Sequence, residues 1–587
     1  MDDRIGALRP AIAWAATAGA YALKATLSAV TTPLVLDTDD AMRLNEVHDL
    51  LAGQGWFDLV QHRLNTPFGG LIHWSRLVDV PEAVVLGALR PLFGPGADVA
   101  AAYVWPLLLL GPLLWLSARL AMRLGGRGAL WPGLILPGLS LIGIAEFAPG
   151  RFDHHAPQIL LSLAMLACLL EFGRHPRFAI GAGIAAGVAL SIGIESLPIV
   201  GATVLAAGLL WVADDRMATP MRDLGLGFAA ATALGLAQGV PPANWLVPMT
   251  DAISVVYATA AVLTGLAFTL LSIAPLRSPA TRLLAGATAC AVIVAALVGL
   301  WPSILRGPYG MLDPWLVTHW LDHISEAVPL AQSFRDDPVY AAAVGVPVLI
   351  ALVYCAWAIA RYRAARRDWL VVGGMLALSA AIMVLQIRGT RLAVPLAAPV
   401  CAALLAQLWR WQLGRRGIAP VLAVSGAAVG SAGLAVALIT ALVTLATDPS
   451  DAAAAGRAGR NACLMPSAFT AIAALPPERI MAPIDLGSHL LLYTPHAVVA
   501  APYHRNQQAL LDALHFFNGP IGEARAILES RGVTLVVTCP ALKEMAGLDD
   551  RAADSFISLA ARGSLPDWLV VQSAAGAPLT IYSVRPR

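Results

Sequence analysis

The chain has 587 residues, 58% hydrophobic and 13% charged, with a mean hydropathy of +0.70. Soluble domains carry about 25% charged residues, so the composition excludes an ordinary soluble enzyme and points to an α-helical polytopic membrane protein in contact with a lipid bilayer. The formal net charge of +2 gives no electrostatic case for nucleic acid as a partner.

The polar start, residues 1–10, leads into an apolar run without a small-residue cleavage site, which reads as a retained first helix. A spanning helix needs about 20 apolar residues. Thirteen runs fit, near 11–30, 97–118, 129–146, 157–172, 178–194, 197–212, 223–240, 253–273, 283–301, 339–360, 369–386, 392–409 and 418–446. The turn Glu195-Ser196-Leu197-Pro198 is the shortest, and one kinked helix there would invert everything after it. Arginines mark every even-numbered exit: Arg119, Arg123 and Arg127; Arg174 and Arg177; Arg216 and Arg222; Arg277 and Arg282; Arg361, Arg363, Arg366 and Arg367; Arg410, Arg415 and Arg416. The excess of positive charge on cytoplasmic loops then predicts a cytoplasmic N-terminus and an external C-terminus, periplasmic in the inner membrane of a bacterium.

Two long outer loops (about 31–82 and 302–338), a short one around Asp153, and a tail from 447 to 587 follow from this topology. The tail alternates strand-like runs (533–538, 568–572, 579–584) with helical stretches such as 507–517, predicting an α/β domain beside the membrane domain of residues 1–446. Cys463 and Cys539 fall in this tail, where outside the cell they form either a disulfide or two unrelated thiols.

Acidic islands punctuate the outer loops. Asp37-Thr38-Asp39-Asp40 precedes a helical pattern over 41–51 that ends at Gly53 and Gly55; the carboxylates gather a cation, or Asp39 or Asp40 simply caps the helix. His73-Trp74-Ser75-Arg76 reads as an amphipathic membrane-surface segment, or as a lipid-phosphate contact through Arg76. In Arg151-Phe152-Asp153-His154-His155, Asp153 and His155 are spaced to chelate one ion. Glu326 follows His323-Ile324-Ser325, with Ser325 a possible helix cap. Arg388 and Arg391 lie at the outer end of their spans, against the charge rule, which suits an anionic lipid phosphate. Tyr503-His504-Arg505 follows a strand-like run in the tail, where loops hold binding groups.

In this order and on one face, these islands resemble the GT-C membrane glycosyltransferases, and most closely the single-subunit bacterial and archaeal oligosaccharyltransferases. Asp39-Asp40-Ala41-Met42-Arg43-Leu44 is similar to that family's first acidic motif, Asp153-His154-His155 to its second, and His323-Ile324-Ser325-Glu326 to its fifth-loop motif. Arg391-Leu392-Ala393-Val394-Pro395 is similar to its pyrophosphate-contacting arginine segment. The family's Trp-Trp-Asp signature is missing; the tail offers only Trp568, which speaks against an asparagine sequon as acceptor.

The resemblance implies a thirteen-span GT-C fold and an inverting sugar transfer from a polyprenyl-(pyro)phosphate donor to a protein, lipid or glycan acceptor. It implies a divalent cation, Mg²⁺ or Mn²⁺, on Asp39, Asp153 and His155. Asp37, Asp39 and Glu326 are then the catalytic carboxylates, and Arg391, Arg388 and Arg76 hold the donor phosphate. His154, His73, Trp74, His323, Tyr503, His504 and Arg505 take acceptor-side or secondary places. Outside the resemblance, a flippase of lipid-linked sugars and a non-catalytic assembly protein are the competing classes; acids clustered at one face rather than at mid-membrane argue against the flippase.

Overall fold

A computed structural model describes residues 2–324, 326–447 and 452–586. Each of the thirteen expected runs is helical. The first is α1 (Asp2–Ser28). The outer segment after it carries α2 (Thr38–Leu51) and a hairpin of β1 (Val60–Gln61) and β2 (Gly70–Leu71). Then α3 (Arg76–Phe93) leads through a three-residue turn into α4 (Ala97–Gly125). The bundle continues with α5 (Leu130–Ile135), α6 (Leu141–Phe147), α7 (His155–Leu170), α8 (Pro176–Ile192), α9 (Leu197–Ala213), α10 (Ala218–Gly239), α11 (Val255–Ile273) and α12 (Pro279–Leu300). Short α13 (Pro314–His319) and α14 (Leu330–Asp336) lie in the second long outer segment, before α15 (Pro338–Arg361), α16 (Arg366–Leu385), α17 (Thr390–Leu413), α18 (Ile418–Ser431) and α19 (Gly433–Thr447).

Among the described residues, 7 helices are long and apolar enough to cross a membrane, or up to 9 if each bent pair is one span. The bent pairs are α5 with α6 (64°) and α18 with α19 (90°). α7 and α8 are apolar but short, and α1 and α10 fall outside the set. The chain is therefore multi-pass, with four of the thirteen runs helical but shorter or more polar than an independent span.

The tight turn at Glu195 joins two antiparallel helices. Met217, past the end of α9, meets Gly173, before the start of α8, and Arg367 donates to the Phe172 carbonyl at 3.1 Å. At the other end of the pair, Glu195 accepts from Gln158 at 3.1 Å. The charges sort by the two ends of α4. Near its start, Gly150 donates to the Ala102 carbonyl at 2.7 Å and brings in the acidic islands. Near its finish, Arg123 pairs with Asp368 at 2.6 Å and Glu171 at 3.4 Å, and Arg410 donates to the Gly125 carbonyl at 2.8 Å.

The tail adds α20 (Ala452–Leu464), α21 (Thr470–Ala473), β3 (Arg479–Met481), α22 (Gly487–Tyr493), β4 (Ala497–Val498), α23 (Gln507–Asn518), α24 (Ile521–Arg531), β5 (Leu535–Thr538), α25 (Phe556–Ala561), β6 (Leu569–Val571) and β7 (Thr580–Val584). The strands form one mixed sheet of order β4-β3-β5-β7-β6, with β3 parallel to β4 and β5, and β7 antiparallel to β5 and β6. Strand alternation gives the sheet two apolar faces. Ile480, Leu535 and Ile581 pack with Met42, Leu64 and Trp74 of the first outer segment. Met481, Val536 and Tyr582 pack with Phe516, Phe556 and, from α13, Leu316. The tail is thereby seated on the acidic end of the bundle. Cys463 and Cys539 are disulfide-bonded, which closes the α20 end onto the end of β5.

His489 in α22 sits at this seam, with Nε2 3.3 Å from the Val35 carbonyl and no partner for Nδ1. Burial drives its pKa down to about 4. The folded chain therefore binds fewer protons than the unfolded one between that value and the free-imidazole value near 6.5, so this stability is full above about 6.5 and is lost as pH falls toward 4. The loss is on the order of 3 kcal/mol. Thermal unfolding of the detergent-purified protein should fall less steeply from pH 7 to pH 5 in His489→Gln than in the unaltered chain.

Candidate active site at the acidic end of the bundle

Asp37 is the N-cap of α2, accepting from the Asp39 backbone N–H at 3.0 Å, so the cap lies ahead of both Asp39 and Asp40. That frees Asp39 and Asp40 for other work. Asp40 turns inward: its Oδ1 accepts from the backbone N–H groups of Phe152 (2.7 Å) and Asp153 (2.9 Å). Its Oδ2 lies 2.8 Å from Arg151. Burial, only partly offset by Arg151, pushes Asp40 up to about 8. Asp40 is thus the clip that docks the second outer segment on the first.

Arg151 lies among the acids, its Nη1 3.1 Å from Asp37 and its Nη2 3.0 Å from Glu146 and 3.8 Å from Asp153. Asp153 faces both imidazoles, with Oδ1 2.5 Å from His154 Nδ1 and Oδ2 3.0 Å from His155 Nε2. Burial works against its charge, yet His154 and His155 hold its carboxyl well below the ordinary range. His154 reaches on to Glu195 at 3.4 Å. Burial pulls His154 down, but Asp153 and Glu195 raise it to about 10. Asp153, His154 and His155 each offer a ligand atom within 4.8 Å of the others, a group able to hold a metal ion. Asp39 is outside that group but beside it: burial first, then Asp153 and Asp37, push its carboxyl well above the ordinary range.

The fifth-loop acid joins the same centre. Arg391, at the start of α17, grips Glu326 with both Nη atoms (2.8 and 2.6 Å) and Glu146 with Nε (2.8 Å). The Arg388 backbone N–H donates to the Glu326 carbonyl at 3.0 Å, which pins the outer loop to α17. Asp37, Glu146, Arg151, Glu326, Arg388 and Arg391 line one cavity of about 200 Å³. A second, of about 270 Å³, lies on the other side of Arg388, between Tyr309, Asp322 and Gln332.

Several expected roles move. Arg76 is no free phosphate ligand: it is buried, bound to Asp79 (3.0 Å), the Asp58 carbonyl (2.7 Å) and Gln54 (3.3 Å). Trp74 is not a membrane-surface residue; it is buried, covers Arg43 at 4.4 Å and meets Tyr503 edge-on. Arg43 in turn is 2.6 Å from Asp79 and 3.4 Å from His154 Nδ1, so this layer backs the His154 ring. Tyr503 donates to the Thr38 carbonyl at 3.1 Å. His323 is exposed and makes no side-chain bond among the described residues. Ser325 lies outside the described residues. His73, His504 and Arg505 converge on Asp251, which the sequence did not single out. Glu146 and Glu195 were also unexpected, because one is in an apolar run and the other in a tight turn.

Gly150 makes the junction possible. Its φ is +100°, and a Cβ there would lie 1.9 Å from the Leu34 carbonyl oxygen. Gly150→Ala should lower thermal stability by at least the roughly 1–3 kcal/mol of such backbone strain and loosen Arg151 and Asp153. Differential scanning fluorimetry and a transfer assay on one preparation would show both losses together.

No family model and no curated protein matches the sequence. Solved structures do. The archaeal oligosaccharyltransferase AglB from Archaeoglobus fulgidus, in complex with an inhibitory peptide and a dolichol-phosphate, superposes with a TM-score of 0.63 at 14% identity, over 97% of this chain and 74% of that one. The same organism's oligosaccharyltransferase complexed with Zn and sulfate gives 0.57 at 13%, over 96% and 73%. Its apo form gives 0.61 at 13%, over 93% and 72%. The chain therefore shares the overall fold of these archaeal oligosaccharyltransferase structures.

Proposed function

We propose that the protein is a membrane glycosyltransferase of the bacterial inner membrane, moving a sugar or oligosaccharide from a polyprenyl-(pyro)phosphate donor to an acceptor at the periplasmic face. The observation that carries this reading is convergence: carboxylates of the first and fifth outer segments and Arg151 of the second line one cavity with the forked guanidinium of Arg391, and Arg151 reaches on to Asp153 of the Asp153-His154-His155 group. The AglB structures bear dolichol-phosphate in one case and zinc with sulfate in another, which supports a lipid-phosphate donor and a cation for such a fold.

Asp153 and His155, with Asp39 beside them, are the residues that would hold a divalent cation; an oxygen-rich set with one imidazole suits Mg²⁺ or Mn²⁺. A cation there supplies charge neutralisation for the departing phosphate. Arg391 offers a planar fork matched to phosphate oxygens, and Arg388 widens the same positive edge. A donor phosphate and Glu326 compete for that fork, so the fifth outer loop is coupled to donor binding. Asp37, at the mouth of α2, takes the acceptor's proton, and Asp39 beside it orients the nucleophile. Displacement from the face opposite the leaving phosphate inverts the anomeric carbon. Arg151 holds the crowded acids together, and Asp40 keeps the two outer segments in register. With no Trp-Trp-Asp segment in the tail, a sequon asparagine is not the proposed acceptor.

Proteoliposomes carrying a donor labelled in both sugar and prenyl chain test the reading. Glycosyl transfer separates the two labels in the presence of Mg²⁺ or Mn²⁺. Movement of both labels together across the bilayer would make the protein a flippase instead.

A further inference from the structure

A second cluster lies outside the candidate catalytic centre. His73 comes from the first outer segment, Asp251 from the segment between α10 and α11, and His504 from the tail just past β4. A ring nitrogen of each histidine and a carboxylate oxygen of Asp251 all lie within 4.8 Å of one another. The two imidazoles meet edge-on, with centroids 4.7 Å apart, and His504 Nε2 is 2.8 Å from Asp251 Oδ2. Arg505 braces Asp251 through both carboxylate oxygens, at 2.7 and 2.9 Å.

This is more than an ion pair. Arg505 alone neutralises Asp251, so the acid has no electrostatic need of two histidines. His73 Nδ1 is buried and has no hydrogen-bond partner. A guanidinium that hydrogen-bonds a ligating carboxylate, as Arg505 does Asp251, is an ordinary outer partner of a metal ligand.

We propose that His73, Asp251 and His504 form a structural zinc site that fastens the tail to two outer segments of the bundle. Two imidazole nitrogens and one carboxylate oxygen are a ligand set zinc takes readily, with water completing the tetrahedron. Zinc bonds of about 2.0 Å place tetrahedral ligand atoms roughly 3.3 Å apart, so binding needs the widest pair to close by at most about 1.5 Å and the His504–Asp251 pair, at 2.8 Å, to open slightly. The cross-link joins residues 178 and 253 positions apart along the chain, and its loss weakens the tail's hold on the outer segments without touching Asp153 or Arg391. His73 also adjoins Trp74, whose ring lies 6.0 Å from that of His154, so the clamp buttresses the wall behind that histidine. The proposal is independent of the glycosyl-transfer reading, since it concerns only what holds the tail.

The test uses the full chain in detergent, stripped with chelator and titrated with zinc by calorimetry. Saturable binding with a rise in unfolding temperature is expected. His73→Ala and Asp251→Asn should each weaken the zinc-dependent thermal shift by more than about 100-fold in zinc concentration, beyond what losing an outer partner costs. Asp153→Asn should leave that shift in place. A shift that survives His73→Ala and Asp251→Asn, or vanishes only with Asp153→Asn, overturns the proposal. A cryo-EM map of the unaltered, zinc-saturated protein settles the matter should those variants fail to fold. Density joining the three side chains is expected, and its absence there is fatal to the idea.

Discussion

Asp153→Asn is expected to reduce sugar transfer at least 10²–10³-fold, the usual range for removing a group aimed at transition-state charge. The substitution keeps the shape of the side chain and removes the charge that sits 2.5 Å from His154 and 3.0 Å from His155. Glu195 remains to face His154, so the ring is still held on one side. The loss should therefore fall on turnover and on cation dependence rather than on folding. Titrating Mn²⁺ against labelled-sugar release separates these: the variant should need far more cation for any residual rate. Wild-type turnover at unchanged cation concentration would remove Asp153 from the centre.

Arg391→Ala should be the most damaging change to both stability and donor use. Glu146 is almost fully buried, and Arg391 and Arg151 are its cationic neighbours; Glu326 is held by the Arg391 fork. Removing one partner of a buried ion pair costs about 3–5 kcal/mol, because the remaining charge stays desolvated. Arg391→Lys separates the two contributions. A lysine retains the charge that Glu146 needs but loses the bidentate fork, so folding should recover while donor affinity stays poor. Unfolding temperature and the KM for a polyprenyl-phosphate sugar, measured on both variants, give the split. Equal KM in Arg391→Lys and the unaltered chain would mean that Arg391 serves structure alone.

The helices and the tail strands were legible because hydrophobic runs and alternation report burial directly. β5, β6 and β7 fall inside the strand-like runs, and α23 covers the helical stretch at 507–517. The multi-pass character was legible as a pattern of apolar runs, while length and polarity leave α1, α7, α8 and α10 below the measure of an independent span. Within the site, Asp37, Asp153, His155, Glu326 and Arg391 stood out because charge in an apolar context is costly and therefore visible.

Arg76 was misleading for the same reason: its charge is costly, but Asp79 three residues on already answers it. Glu146 and Glu195 passed unnoticed because a single acid at a helix end or in a turn has an ordinary local explanation. Asp40 looked like a cap, and only its bonds to the backbone of Phe152 and Asp153 reveal a long-range role. Asp251 could not be paired with His73 and His504 from spacing, since three distant segments meet there only after the tail docks.

The most direct measurement of the central claim is a cryo-EM map of the protein with Mn²⁺ and a polyprenyl-phosphate sugar analogue. The account predicts phosphate density against Arg391, with a cation between that phosphate and Asp153 and the prenyl chain running down the outside of the bundle. Phosphate seated at the opposite end, near Arg123 and Asp368, or a sugar carried into the middle of the bundle, would contradict it.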